Sequence, residues 1–238
     1  MSSAGPSGSV LREGTAGRYV WLWLLGLAVG WFEASVVVYL RQLYYPSGFH
    51  FPVLITWDRV VAVEVIREAA SILLLAAGAR LAGRHFLERF AAFLLLFGIW
   101  DLVYYGALKI VLGWPEGLGT WDVLFLIPAP WVGPVWAPCA VSLALLGAGT
   151  YLYWTADRAR RIRPLDWSVE ILAGLIVISS FLAESRAVVE ARTPEQFPAW
   201  LFWVGWLMGL AWFIRAERTP ERTRPANVSP SRNHTGTS

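Results

Sequence analysis

Long uncharged stretches, separated by short arginine-bearing connections, constrain the fold of this chain more than any other feature. Of its 238 residues, 56% are hydrophobic and 16% are charged, whereas a soluble domain carries roughly a quarter charged residues. An apolar stretch of about 20 residues is long enough to cross a bilayer as a helix. The pattern therefore predicts an all-α, polytopic membrane helix bundle of about six transmembrane helices, with spans at 19–40, 60–81, 90–112, 135–154, 168–188 and 198–214.

Both ends of the chain are polar and rich in Gly, Ser or Pro, which is typical of disordered segments. The sequence predicts a disordered amino-terminal tail at 1–18, a membrane domain at 19–217 and a disordered carboxy-terminal tail at 218–238. The first apolar run has the length of a full span, and no small-residue cleavage site follows it. We therefore interpret that run as a retained helix and not as a removed signal peptide.

The distribution of basic residues predicts the orientation of the bundle. With the amino terminus in the cytoplasm, fourteen of the twenty Lys and Arg residues fall in inner segments and five in outer segments. This bias agrees with the positive-inside rule. We expect a multi-pass protein of a bacterial-type inner cell membrane with both termini cytoplasmic. Because the arginines lie in several connections and not on one face, we do not expect nucleic acid as a partner.

Three carboxylates lie at similar depths on three successive predicted spans. Measured from the outer ends, Glu33, Glu68 and Asp101 lie about 10, 12 and 16 Å deep at ~1.5 Å per residue. A charge at the centre of a span costs roughly 2.5–3.5 kcal/mol on insertion scales, so these side chains should face the interior of the bundle. We expect Glu68 and Asp101 to act as an acid/base pair and Glu33 as a partner carboxylate, which makes the three the candidate catalytic residues.

Basic and aromatic residues near these carboxylates are candidates for substrate binding. Arg67 and Lys109 could stabilise anionic charge. Lys109 is the only lysine in the chain, and its compact ammonium titrates more readily than a guanidinium. The remaining candidates are Arg41, Tyr104, Tyr105, Asp122 and Trp131.

A purely structural role for the charges is the alternative. In that interpretation, ion pairs within the membrane fix helix packing and do nothing else, although such buried pairs do not reliably stabilise a fold. The negative charges of the carboxylates would be balanced by nearby basic residues, with Glu33, Glu64, Glu68 and Asp101 facing Arg41, Arg67 and Lys109.

The segment before the fourth span is unlike the others because of its prolines. Pro128, Pro130, Pro134 and Pro138 are incompatible with a regular helix. Non-helical backbone at membrane depth survives only where it is buried in protein or lines a cavity. We interpret residues 122–136 as a re-entrant or interfacial segment on the outer side, which could roof the carboxylates or anchor at the membrane surface.

The sequence contains no haem, zinc or nucleotide motif, so the cofactor is unknown. Cys139 is the only cysteine, and the three histidines are scattered over connections and tails, which argues against zinc. Carboxylates from several helices are suited to a hard divalent cation. We expect no metal site; the alternative is a divalent-cation site formed by Glu33, Glu64, Glu68 and Asp101.

The inner halves of the first and third spans, 19–30 and 90–99, hold no ionisable side chain except Tyr19. A transporter needs polar access from both sides, at least in turn, so the pattern favours a site that opens outward. The sequence favours an intramembrane enzyme or binding protein for a lipid-linked or apolar small molecule. A proton- or cation-coupled small-solute transporter and a structural or assembly subunit of a membrane complex are the alternatives, and whether the chain is an enzyme stays open.

Two predicted spans carry pairs of glycines four residues apart, Gly26 with Gly30 and Gly205 with Gly209. Such pairs let helices approach closely in lipid. The expected partners are membrane lipids and, through one of these glycine faces, a second copy of the chain in a homo-oligomer.

Overall fold

In a computed structural model of the protein, residues 6–53, 59–158 and 162–218 are described, with their side chains from residue 14 onward. Except for Arg218, the predicted carboxy-terminal tail lies outside these residues. The fold is mostly helical, as predicted. The elements are α1 (Pro6–Tyr44), α2 (Arg59–Ala82), α3 (Phe86–Leu112), β1 (Trp121–Phe125), β2 (Trp131–Pro134), α4 (Trp136–Trp154), α5 (Pro164–Leu182), α6 (Ser185–Val189) and α7 (Ala199–Arg218).

Five helical segments of the described chain are long and apolar enough to cross a membrane: 14–44, α3, α4, 164–189 and α7. Helix α2, the second predicted span, is long enough to cross a membrane but is not one of these five segments, because it is too charged. Every stretch of α2 of spanning length includes at least three charged residues, among them Arg67 and Glu68. Residues 6–18, for which the sequence predicted a disordered tail, form the first part of α1.

Neighbouring long helices run in opposite directions. Arg18, near the start of α1, donates a hydrogen bond of 3.4 Å to the carbonyl of Ala82 at the end of α2. Further along α1, Glu33 accepts a hydrogen bond of 2.8 Å from Ser71 near the middle of α2. Helix α2 therefore runs antiparallel to α1 and lies beside it from Ser71 to Ala82.

The same alternation continues through the rest of the chain. Helix α3 runs parallel to α1 and lies beside it. Helix α4 runs antiparallel to α3, as the contacts of Gly149 with Leu95 and of Gly98 with Ser142 show. Helix α5 runs parallel to α3, and α7 packs beside α5 in the antiparallel direction. The bundle thus has an arginine-rich end, where α1, α3 and α5 begin, and a hairpin end, where β1 and β2 lie; the first carries Arg18, Arg80, Arg84, Arg89, Arg158, Arg163, Arg215 and Arg218.

Both glycine pairs serve packing within the chain. A Cβ atom on Gly30 would lie 2.7 Å from the Trp100 carbonyl of α3, and one on Gly205 would lie 2.8 Å from the Ala173 carbonyl of α5. Side chains at these positions would collide with backbone. Both glycine faces therefore pack against other helices of the same molecule, and a homo-oligomer through them stays a prediction.

The proline-rich segment forms an antiparallel β-hairpin, so the all-α prediction is incomplete. Asp122 pairs with Gly133 and Val123 with Val132 across the two strands. The prolines interrupt helix formation as expected, and Pro138 sits in the first turn of α4, where the missing N–H is tolerated. Period-two alternation is too short here to have predicted strands of five and four residues.

Candidate functional site

A cavity of about 230 Å³ lies between α1, α2 and α3 at the hairpin end, with β1 forming part of its wall. The three candidate catalytic carboxylates all line this cavity, although they come from three different helices. Glu33, Glu68 and Asp101 are buried, with exposed fractions of 6%, 6% and 9%. These side chains, which the cost of a lipid-facing charge predicted to face the interior of the bundle, therefore converge on one cavity.

Arg67 lies between two carboxylates. Its guanidinium forms an ion pair with Oε1 of Glu33 and donates to Oε2 of Glu64 at 2.8 Å. Ser71 Oγ donates to the second oxygen of Glu33 at 2.8 Å. Glu33 and Glu64 are thus both paired, and the charge of Arg67 is neutralised within the protein.

A second buried ion pair connects α1 to the hairpin. Arg41 Nη2 lies 3.1 Å from Asp122 Oδ1, and the Tyr105 hydroxyl of α3 donates to Oδ2 at 3.2 Å. The Arg41 guanidinium also lies over the rings of Trp114 and Phe49, at 3.6 and 4.2 Å from their centroids. Asp122 is 1% exposed. Its burial raises the pKa of this carboxyl, and the nearby positive charge of Arg41 opposes that rise.

Within the described part of the chain, Glu68 and Asp101 differ from the other carboxylates of the cavity in having no ion-pair partner. Glu68 Oε2 accepts a hydrogen bond of 2.8 Å from the backbone N–H of Leu126. Asp101 Oδ2 accepts one of 2.7 Å from the hydroxyl of Ser142 on α4. Neither forms an ion pair with a Lys or Arg among the described residues. These two carboxylates are the ones that can exchange a proton without breaking an ion pair.

The predicted binding residues divide into two groups. Arg41, Arg67, Tyr104, Tyr105 and Asp122 line the cavity together with the carboxylates. The ring of Tyr104 packs edge-on against Tyr105, with centroids 5.0 Å apart. Tyr104 Oη has no hydrogen-bond partner in the described part of the chain, which leaves it available to a ligand.

Lys109 and Trp131 do not line the cavity. Lys109 Nζ donates to the carbonyls of Gly113 and Pro115 at 3.1 and 2.7 Å. A lysine in the last turn of a helix reaches the terminal carbonyls readily, and this cap turns Lys109 away from the carboxylates. Trp131 stacks on Phe181 of α5 at 6.2 Å between ring centroids, so its ring anchors the hairpin against α5.

The proposed cation ligands do not converge. In the described ranges, no group of three or more His, Cys, Asp or Glu side chains is arranged to hold a metal ion. Glu33 and Glu64 face the guanidinium of Arg67, while Glu68 and Asp101 are each bonded to a different neutral donor. The geometry gives the divalent-cation alternative no support.

Some residues around the cavity were not predicted. Ser142, which holds Asp101, is a small polar residue within an apolar run, and that irregularity was the available signal. Phe49 and Trp114, which cover Arg41, lie in connections whose shape sequence periodicity does not describe. The backbone N–H of Leu126 has no signature in the sequence at all.

The arginine-rich side of the cavity is closed by apolar packing. Trp100, which lines the cavity, belongs to a core of buried apolar side chains between α1, α2 and α3. Leu75, Leu95 and Leu96 in this core have exposed fractions of 0%. Among the described residues, this core thus separates the charged groups of the cavity from the charged groups of the arginine-rich end.

In comparisons with known proteins, no family model matches the sequence, and no curated protein or solved structure matches the chain.

Proposed function

We propose that this chain is a six-span membrane protein that binds an amphiphilic small molecule in the cavity and exchanges a proton with it through Glu68 and Asp101. The observation that supports this proposal is the pair of carboxylates without cationic partners in a cavity that is otherwise fully ion-paired. Unpaired ionisable groups inside a membrane protein are costly, and they commonly mark functional sites.

The sixth span in this proposal is α2. It lies beside α1 from Ala82, next to Arg18, to Ser71, next to Glu33. Since α1 is itself long and apolar enough to cross the membrane, a helix that accompanies it crosses the same thickness. The charges of α2 are tolerated because Arg67 and Glu68 face the cavity and not lipid. Six alternating spans put both termini on one side, which the basic residues assign to the cytoplasm.

The charge of the cavity favours one class of ligand. Five carboxylates and two guanidinium groups line it, and both guanidinium groups are already paired with carboxylates. Arg67 is held between two carboxylates and Lys109 does not line the cavity, so neither favours an anionic ligand. A ligand with an ammonium or another hydrogen-bond donor suits the excess of carboxylates better.

Apolar residues supply the rest of the cavity wall. Val37 and Leu40 of α1 face Val60 and Val61 of α2 across the space. An apolar body against these side chains, with a polar group at Glu68 and Asp101, describes an amphiphile. A lipid-linked or other apolar small molecule meets this description and can enter from the outer leaflet.

The proposed chemistry is general acid/base catalysis or proton-coupled binding. A protonated Asp101 or Glu68 can donate to a ligand atom while the other carboxylate accepts a proton. Tyr104 offers a neutral hydroxyl beside them. Glu33, which is paired with Arg67, would maintain the position of that arginine and would not itself react.

Two other functions fit less well. A coupled transporter would use the same carboxylates, but it needs a polar route to the cytoplasm, and the packed apolar core beneath Trp100 counts against one. A structural subunit accounts for the ion pairs of Glu33, Glu64 and Asp122. It gives no reason for keeping Glu68 and Asp101 unpaired.

Substitution of the two unpaired carboxylates tests the proposal. We expect Glu68→Gln and Asp101→Asn to abolish complementation of a deletion strain while the purified variants keep the elution volume and helical content of the wild type. Glu116→Gln, which changes an exposed carboxylate in the connection after α3, is the matched control and should complement fully. If both site variants fold and complement fully, the assignment fails.

A further inference from the structure

A second cavity lies at the opposite end of the bundle. This crevice, of about 350 Å³, runs between α3 and α4 on one side and α5 and α7 on the other. It is separate from the carboxylate cavity and shares no lining residue with it. Its walls near the arginine-rich end include Phe90 of α3, Ala148 of α4, Gly174 of α5 and Phe213 of α7.

The crevice is almost entirely apolar. Protein interiors have few voids larger than a water molecule, and apolar cavities of this kind stay dry and take apolar ligands. An open space of this size among spanning helices is therefore suited to a hydrocarbon chain. Small residues such as Gly174 and Ala148 keep it open, since a Cβ on Gly174 would meet nothing within 4 Å.

Glu170, on the crevice wall, has no partner among the residues that the structure describes. Glu170 extends from α5 toward α7, where its Oε2 lies 3.3 Å from the position of a Cβ on Gly209. Its carboxylate makes no hydrogen bond and no ion pair within the described ranges. Asp166, one turn earlier, is by contrast held by the Arg163 N–H at 2.8 Å and the Trp212 indole at 3.1 Å.

The depth of Glu170 places it at the membrane boundary. It follows the start of α5 by six residues, or about 9 Å along the helix. The headgroup region on each side of a bilayer is roughly 5–8 Å thick, because a 40–45 Å bilayer has a core of about 30 Å. If α5 begins at the membrane surface, the backbone of Glu170 lies just below this region, and its side chain can reach the polar part of a lipid while the crevice beyond it meets the chain.

We propose that this crevice binds a phospholipid with a primary ammonium headgroup, of the phosphatidylethanolamine type. One acyl chain lies between the two helix pairs, and the ammonium donates to Glu170. A charge-assisted hydrogen bond requires an N–H donor, so the trimethylated ammonium of phosphatidylcholine is a poor substitute. An anionic lipid without an amine, such as phosphatidylglycerol, would be repelled by the same carboxylate.

Native mass spectrometry of the purified full chain tests this proposal. The protein is mixed with equal amounts of phosphatidylethanolamine, phosphatidylcholine and phosphatidylglycerol that carry identical chains. We expect the wild type to retain phosphatidylethanolamine about tenfold more than phosphatidylcholine, since one charge-assisted hydrogen bond distinguishes them. Glu170→Gln should reduce this ratio to near one.

A pair of glycine substitutions tests the position of the chain. Gly174→Leu fills the crevice and should reduce retention of all three lipids several-fold. Gly147→Leu is the matched control, because Gly147 is an exposed helical glycine of α4 that also has open space around its Cβ position and does not line the crevice. It should leave retention unchanged.

Three results would overturn the proposal. They are equal retention of the ethanolamine and choline lipids by the wild type, an unchanged ratio in Glu170→Gln, and equal effects of Gly174→Leu and Gly147→Leu. If Gly174→Leu does not fold, the lipid ratio in Glu170→Gln decides the matter alone.

Discussion

The ionisable side chains of the carboxylate cavity differ in the partner that each one has. Glu33 and Glu64 share Arg67, and Asp122 has Arg41. Glu68 and Asp101 have only a neutral donor each. A carboxylate that faces a guanidinium must break an ion pair to take up a proton, whereas one that faces a neutral donor need not.

Chemical labelling distinguishes these two groups. A hydrophobic carbodiimide reacts with protonated carboxyl groups and reaches those open to the membrane or a cavity. We expect peptide mapping after treatment at neutral pH to find adducts on Glu68 and Asp101 and none on Glu33 or Glu64. Labelling concentrated on Glu33 or Glu64 would contradict the assignment of partners.

The buried pair of Arg41 and Asp122 should be sensitive to the loss of one member. Asp122→Asn leaves the guanidinium of Arg41 buried without a counter-charge, and breaking a buried pair costs about 3–5 kcal/mol. We expect a marked loss of thermal stability in detergent, followed by tryptophan fluorescence. The double variant Arg41→Met with Asp122→Asn should recover part of that loss, and a double variant less stable than either single one would refute the coupling.

At the scale of elements, glycine contacts set the distance between α1 and α3. Gly30→Ala places a methyl group 2.7 Å from the Trp100 carbonyl, and overpacking of this kind costs about 1–3 kcal/mol. Gly106→Ala is the matched control, because Gly106 lies on the exposed face of α3 with nothing near its Cβ position. It should stabilise α3 by up to ~1 kcal/mol through helix propensity. Equal thermal shifts in the two variants would contradict this packing.

Sequence patterns predicted the long helices better than the segments between them. Apolar runs placed α3 and α4 within a few residues of their observed bounds, since lipid exposure demands such runs. The hairpin escaped prediction because four prolines exclude a helix without indicating which strands pair. Lys109 was misplaced for a related reason, because helical spacing gives the face of a side chain and not the loop carbonyls that it can reach.

The carboxylate site was more accessible to sequence reasoning than the hairpin. Charges are rare in spanning helices, so each of Glu33, Glu68 and Asp101 stood out in the sequence, and their similar depth and the cost of a lipid-facing charge predicted that they meet inside the bundle. Which of them are paired could not be read from the sequence. That depends on Ser142 and on the backbone of Leu126, and both reach the site only through the tertiary fold.

The whole molecule is asymmetric along its long axis. The carboxylate cavity and the hairpin occupy one end, and the apolar core and most arginines occupy the other. Six alternating helices would place both termini at the arginine-rich end. Reporter fusions to either terminus should both be active in the cytoplasm, whereas a reporter inserted at 116–119 should be active outside. Termini on opposite sides would show that α2 does not cross the membrane.

In the proposed arrangement the carboxylate cavity opens to the outer face alone, which cysteine accessibility can test. In a Cys139→Ser background, Val61→Cys places a thiol in the cavity and Arg158→Cys places one in the exposed connection after α4. A membrane-impermeant maleimide added to intact cells should label Val61→Cys and spare Arg158→Cys, and inside-out vesicles should give the reverse. Labelling of Val61→Cys from the cytoplasmic face would contradict this arrangement.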